Sequence, residues 1–190
     1  MPKIFNSLSE KNLASVLKNG AVGVIPTDTL YGLVASANDP KSAERVLMIK
    51  GRKYKPGTLI AANTRQLVDL GVKSRYLKAV EQFWPGAVSV VLPIPQELDY
   101  LHTGEKSLPI RIPNDDELLK LLIQTGPLIT TSANKPNKKP ATNITEAQSV
   151  FGNTIDFYVD GGDLSDRKPS TIIRIIDDEV EVLREGAVKM

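Results

Sequence analysis

The apolar run Ala21–Ile25 breaks off into Pro26-Thr27-Asp28-Thr29-Leu30-Tyr31-Gly32-Leu33, and this break constrains the fold of the chain strongly. A short buried strand that opens into two threonines, an aspartate, a tyrosine and a glycine delivers polar groups to a sheet edge. That is where α/β domains build ligand sites. Three later clusters share its character: Lys50-Gly51-Arg52 with Lys55, Ser107 to Arg111, and Thr130-Thr131-Ser132-Ala133-Asn134. Hydroxyls, small residues and cations recur, which suits a site that holds phosphate and a small polar substrate.

Patterning between these clusters predicts alternating elements. A capping-box-like Ser7-Leu8-Ser9-Glu10 starts a helix over about residues 8–19. Strands are expected over 21–26, Thr58 to Ala62, Ala87 to Leu92, Ser107 to Ile112, Leu128 to Thr131 and 155–159. Helices are expected over Pro40 to Lys50, 65–71, 75–84, from the Asn114 cap to Gly126, and 145–151. Thr171 to Ile176 and Glu179 to Leu183 read as a closing hairpin. Alternation followed by a hairpin argues a mixed α/β sheet with flanking helices, α+β in tendency, rather than a purely parallel one.

Composition excludes whole classes of chemistry. The 190 residues contain no cysteine and one histidine, His102. Disulfides, thiolate metal sites and cysteine nucleophiles are therefore absent, and a Ser-His-Asp triad would have to run through His102, expected in a surface loop. No apolar run approaches the roughly 20 residues of a membrane helix. A formal charge of +2 does not by itself argue for nucleic acid. There is no GxxxxGKS and no GxGxxG. The cations from Lys50 to Lys55 read either as a solvated helix end or as a phosphate clamp. Arg111 in an apolar strand calls for a buried partner, for which a ligand carboxylate or phosphate is a candidate.

Taken in order, these pieces resemble the YrdC/Sua5 threonylcarbamoyl-AMP synthases. The matching stretches are Pro26 to Leu33, Lys50-Gly51-Arg52, Ser107 to Pro113, Thr131-Ser132-Ala133-Asn134, Pro169-Ser170-Thr171-Ile172 and Leu183-Arg184-Glu185-Gly186. The resemblance implies a YrdC-like fold with a concave basic cleft, as one domain over residues 1–190. It implies a cytoplasmic nucleotidyltransferase that makes threonylcarbamoyl-AMP and pyrophosphate from L-threonine, bicarbonate or CO2, and ATP with Mg2+. The product serves the t6A modification of tRNA at position 37 through a separate threonylcarbamoyl transferase complex. By resemblance Lys50 and Arg52 are catalytic and hold the triphosphate, while Ser107, Ser132, Asn134, Ala141 and Arg184 bind ATP. Thr29, Tyr31, Arg111, Thr130 and Ser170 surround threonine, with Arg111 on its carboxylate. Asp28 stands where the family often has Glu. The alternative is a non-catalytic relative that binds double-stranded RNA in RNA or ribosome maturation. A hydrogenase-maturation carbamoyl-transfer role is disfavoured, because those proteins add cysteine-rich domains.

Overall fold

The computed structural model describes residues 1–51, 56–102, 104–177 and 179–190. Among these, ten strands form one mixed sheet: β1 Lys3–Phe5, β2 Gly23–Ile25, β3 Gly32–Ser36, β4 Thr58–Ile60, β5 Val88–Pro93, β6 Ser107–Arg111, β7 Leu128–Ser132, β8 Phe157–Val159, β9 Thr171–Ile176 and β10 Glu179–Arg184. Their order is β1-β8-β2-β3-β7-β4-β6-β5-β9-β10. Six α-helices accompany them: α1 Leu13–Lys18, α2 Pro40–Ile49, α3 Thr64–Asp69, α4 Ser74–Val80, α5 Asp116–Thr125 and α6 Ile144–Phe151. No helix among the described residues is long and apolar enough to cross a membrane.

Helices cover both faces of the sheet, so a central strand such as β3 buries apolar residues on both sides rather than alternating. In β3, Leu33 and Ala35 join the larger core with residues of α2, α3 and α4, while Val34 joins a second core with Leu13 and Leu17 of α1 and Leu118, Leu121 and Leu122 of α5. β4 divides the same way, Leu59 to one core and Ile60 to the other. This double burial is what a run such as Leu33-Val34-Ala35 encodes.

Several expected boundaries move. The helix expected over 8–19 is confined to Leu13–Lys18, because the box is not made: Glu10 Oε2 accepts the Asn6 amide at 2.6 Å. α5 is capped by Asp115, which accepts the Leu118 amide at 2.9 Å, and not by Asn114. β1 and β3 were not expected. Three residues are too few to show a period, and β3 hides inside the polar motif that precedes it. His102 is buried at 7% exposure rather than on the surface. Its Nδ1 accepts the Gly104 amide at 3.0 Å, while its Nε2 lies 2.9 Å from Asp99 Oδ1. It is thus engaged in shaping its own loop.

Arg45 of α2 ties that helix to the segment before β8. Its Nη1 and Nη2 lie 2.5 and 3.0 Å from the two carboxylate oxygens of Asp156, which also accepts the Val22 amide at 2.8 Å. Burial alone would raise the Asp156 pKa, but the bonds from Arg45 and Val22 outweigh it and hold the carboxyl below its usual 3.8. A carboxylate depressed on folding stabilises the protein above its unfolded pKa, and that contribution is lost as pH falls through the folded value. We expect Asp156→Asn to cost about 1 kcal/mol near neutrality, given a pair that is over a third exposed. Urea unfolding should show the gap from the native protein shrinking below about pH 4. A gap unchanged from pH 7 to pH 3 would contradict this.

Candidate active site

Four segments converge at one end of the sheet. The first is the turn between β2 and β3, organised by Thr27. Its hydroxyl donates to Leu30 O at 2.7 Å and accepts the amides of Thr29 and Leu30 at 3.1 and 3.2 Å. It also lies 3.1 Å from the Thr29 hydroxyl. A threonine that satisfies two amides and a carbonyl makes this turn rigid.

Arg111 ends β6 beside this turn. Its Nη2 donates to Asp28 Oδ1 at 3.0 Å and reaches Thr29 Oγ1 at 3.4 Å. Asp28 Oδ2 accepts the Asn114 amide at 3.2 Å, so the pair joins the β2–β3 turn to the entry of α5. Both side chains are nearly inaccessible, at 4% and 5% exposure. Burial raises the Asp28 pKa despite the pull of Arg111, and burial lowers the Arg111 pKa despite the pull of Asp28. Their attraction does not offset the loss of water for either partner. Arg111 Nε–H is buried with no hydrogen-bond partner among the described residues. An orphaned buried donor costs roughly 1–3 kcal/mol, more on a charged group, and an anionic ligand removes that cost.

β7 supplies Thr130, Thr131 and Ser132, and the segment leading into β9 supplies Pro169 and Ser170. A cavity of about 130 Å³ lies between these elements, walled by Thr27, Thr29, Leu30, Thr130, Ser132, Pro109, Arg111, Ser170, Ile172 and Arg184 among others. Close strand approach frames it: a Cβ on Gly57 would stand 2.6 Å from Thr130 O. A second cavity of about 370 Å³ adjoins it, sharing Leu30, Ser132, Pro169 and Arg184 and adding Lys139, Pro140, Thr142, Leu164, Ser165 and Arg167. Small and hydroxyl-lined beside wider and partly apolar is an arrangement that can hold an amino acid against a nucleotide. A third cavity, of about 510 Å³, touches Thr27, Leu164 and Arg167 but is otherwise lined by groups such as Asp115, Glu117 and Asp160.

The structure brings Thr29, Tyr31, Arg111, Thr130, Ser132, Ser170 and Arg184 together around the smaller cavity. Tyr31 is fully buried, and its hydroxyl donates to Gly162 O at 2.9 Å and accepts the Gly161 amide at 2.8 Å. Burial raises its pKa, so it stays neutral as a post under the loop after β8. Lys50 is not a solvated helix end. It is 1% exposed, and its ammonium donates to Ser132 O, Asn134 O and Asn134 Oδ1 at 2.7, 2.6 and 2.6 Å. Asn134 Oδ1 also accepts the Ser132 hydroxyl at 2.7 Å, so Lys50 and Asn134 together brace the turn that presents Ser132. Ala141 packs behind this turn, its amide on Ala133 O at 2.8 Å. Ser107 lies at the far end of β6, half-buried, its hydroxyl on Glu105 O. Neither Lys50, Asn134, Ala141 nor Ser107 is in the wall of either cavity. Arg52 lies outside the described residues.

Reasoning from the sequence overlooked Thr27, Thr131, Pro169 and Ile172 as wall residues and Arg167 beside the larger cavity. The first four sit inside motifs already singled out, so proximity in sequence was an available signal. Arg167 carries none. Its Nη1 donates to Thr27 O at 2.8 Å, across 140 positions of chain.

The Sua5–YciO–YrdC family model, described as telomere recombination, matches residues 15–186. A threonylcarbamoyl-AMP synthase of Photobacterium profundum is 30% identical over 183 residues, covering 93% of this chain and 98% of that protein. A crystal structure of P. abyssi Sua5 complexed with L-threonine superposes with a TM-score of 0.84 at 27% identity, covering 96% of this chain. This chain spans 57% of that Sua5 chain. The crystal structure of E. coli YciO has the same fold, with a TM-score of 0.84 at 24% identity over 100% of this chain and 98% of its own.

Proposed function

This chain belongs to the Sua5–YciO–YrdC family, and from that premise we propose that it condenses L-threonine, bicarbonate or CO2, and ATP into threonylcarbamoyl-AMP and pyrophosphate. The observation that carries the reading is Arg111: a buried guanidinium with an unpartnered Nε–H in the wall of a small hydroxyl-lined cavity. A threonine carboxylate seated against this guanidinium compensates its buried charge, and the hydroxyls of Thr29, Thr130 and Ser170 suit the amino acid's polar groups. The larger cavity, with Arg184, Arg167 and Lys139 at its wall, takes the nucleotide.

In this reading the threonine amine takes up CO2 to give a carbamate, whose oxygen attacks the α-phosphorus of ATP and expels pyrophosphate. Such a displacement depends on positioning and charge neutralisation more than on a protein nucleophile. Fixed hydroxyls and guanidiniums supply both. Among the described residues no group of three or more His, Cys, Asp or Glu is placed to hold a metal. In this reading Mg2+ enters on the ATP phosphates, as part of the substrate. The product is then consumed by a threonylcarbamoyl transferase complex acting on tRNA in the t6A pathway.

Purified protein is expected to release pyrophosphate from ATP only when both threonine and bicarbonate are present. Release that ignores either one, or no release at all, would remove this reading.

A further inference from the structure

The match at Leu183-Arg184-Glu185-Gly186 is explained at Arg184 by its place in both cavity walls, but nothing so far accounts for Gly186 or for the buried Thr171. Arg184, the last residue of β10, reaches back to Ser170: its Nε and Nη2 donate to Ser170 O at 3.2 and 2.7 Å, and Nη2 also contacts Ser170 Oγ at 3.1 Å. The chain then doubles back along the start of β9. The Ala187 amide donates to Pro169 O at 2.8 Å. The Val188 amide donates to Thr171 Oγ1 at 3.1 Å, and the same hydroxyl donates to Val188 O at 2.5 Å. Thr171 has no exposed surface. Gly186 crosses so close that a Cβ there would overlap Pro169 O and the Ser170 backbone. From the other side, β5 and the residue before it hold Ser170 and Thr171: Ser89 Oγ donates to Ser170 Oγ at 3.0 Å, and the Thr171 amide donates to Ala87 O at 2.9 Å.

The segment from Pro169 to Thr171 is thus gripped between Ala87 and Ser89 on one side and residues 186–188 on the other. Pro169 and Arg184 face both cavities, and Ser170 faces the smaller one. We propose that residues 184–188 form a clasp that fixes the wall shared by the two substrates, with Thr171 and Gly186 as its positioning residues. This rests on the synthase reading above. The Thr171 hydroxyl touches no cavity. It acts through Val188 and Ala187, which hold Pro169 and Ser170 in register with Arg184. Gly186 acts through backbone contact alone: any side chain lifts the tail from Ser170 and draws Arg184 with it.

The test compares Thr171→Val and Thr171→Ser with the native protein by steady-state pyrophosphate release and by hydrogen exchange of residues 185–190. Calorimetric titration with L-threonine supplies a readout independent of turnover. Thr171→Val keeps shape and loses both bonds to Val188. It is expected to raise KM for threonine and for ATP together, about tenfold each, with kcat within about twofold, because the shared wall moves while the reacting groups remain. Amides 187 and 188 should exchange faster, and Thr171→Ser should restore both readouts. If Thr171→Val fails to fold, Gly186→Ala reads the same clasp from the other side. Native KM values in a variant whose tail amides are exposed would overturn the proposal, as would tail amides that stay protected. A native protein that turns over normally while the variants show no KM change sinks the clasp alone. A native protein that binds threonine but releases no pyrophosphate sinks the synthase reading, and threonine affinity then decides the clasp. A native protein that binds no threonine overturns both.

Discussion

Arg111→Ala is expected to weaken L-threonine binding by roughly 30-fold to several thousand-fold, the range for truncating one partner of a buried charge pair. Arg111 meets three requirements for a carboxylate receptor. It is 4% exposed, so water does not compete. Its Nη2 is held by Asp28 and Thr29, so its plane is set before the ligand arrives. Its Nε–H is left over. Arg111→Lys keeps a charge but loses the planar fork and the bond geometry that Asp28 imposes, and should fall well below the native protein. Calorimetric titration with L-threonine checks both variants. Affinity within threefold of native in Arg111→Ala would place the amino acid elsewhere. The effect on stability should be smaller than the effect on binding. Asp28, already pushed up by burial, can take a proton when its partner is gone.

Asp28→Ala should be the most destabilising single change near the site, costing about 3–5 kcal/mol in urea unfolding. Arg111 cannot shed its charge as Asp28 can, so removing the carboxylate strands a buried guanidinium and also leaves the Asn114 amide without its acceptor. Asp28→Asn should cost far less, since an amide oxygen can still accept from Arg111. The raised pKa of Asp28 agrees with that contrast: the ionised form is penalised by burial, so a neutral acceptor is tolerated. The pH dependence runs opposite to that of Asp156. A carboxyl raised on folding takes up a proton in the native state first, so its penalty is present above the folded pKa and absent below the unfolded one. The native protein should therefore gain stability relative to Asp28→Asn as pH falls toward the usual carboxylate range. Equal costs for the alanine and asparagine variants would show that a neutral acceptor does not replace the carboxylate, against this account.

Much of the site was legible because strand ends announce themselves. A run such as Leu128-Ile129 that opens into Thr130-Thr131-Ser132 has an obvious inside and an obvious mouth, and Arg111 in an apolar strand signals a buried partner. Asp28 was visible as a motif residue but not as that partner, since pairing across 83 positions leaves no mark on either segment. Lys50 shows the reverse. At a helix end beside other cations it reads either as solvated or as a phosphate ligand; the solvated alternative fails, because the chain folds it under Ser132 and Asn134. Helix starts were the least legible. Ser7-Leu8-Ser9-Glu10 satisfies the pattern of a cap, yet burial of Leu8 and the bond from Asn6 to Glu10 delay the helix to Leu13.

The sequence by itself determined the kind of chemistry available: no thiol, a single histidine, and hydroxyls and cations placed where apolar strands run out. It also determined that those strands build a mixed sheet with flanking helices; that the helices cover both faces emerged only from the fold. Only the tertiary structure decided which cation lines a cavity and which braces the frame. Arg111 and Lys50 are both cations near the end of an apolar element. What separates them is the number of acceptors the fold brings within hydrogen-bond reach of each, and those acceptors come from residues 82 to 84 positions away.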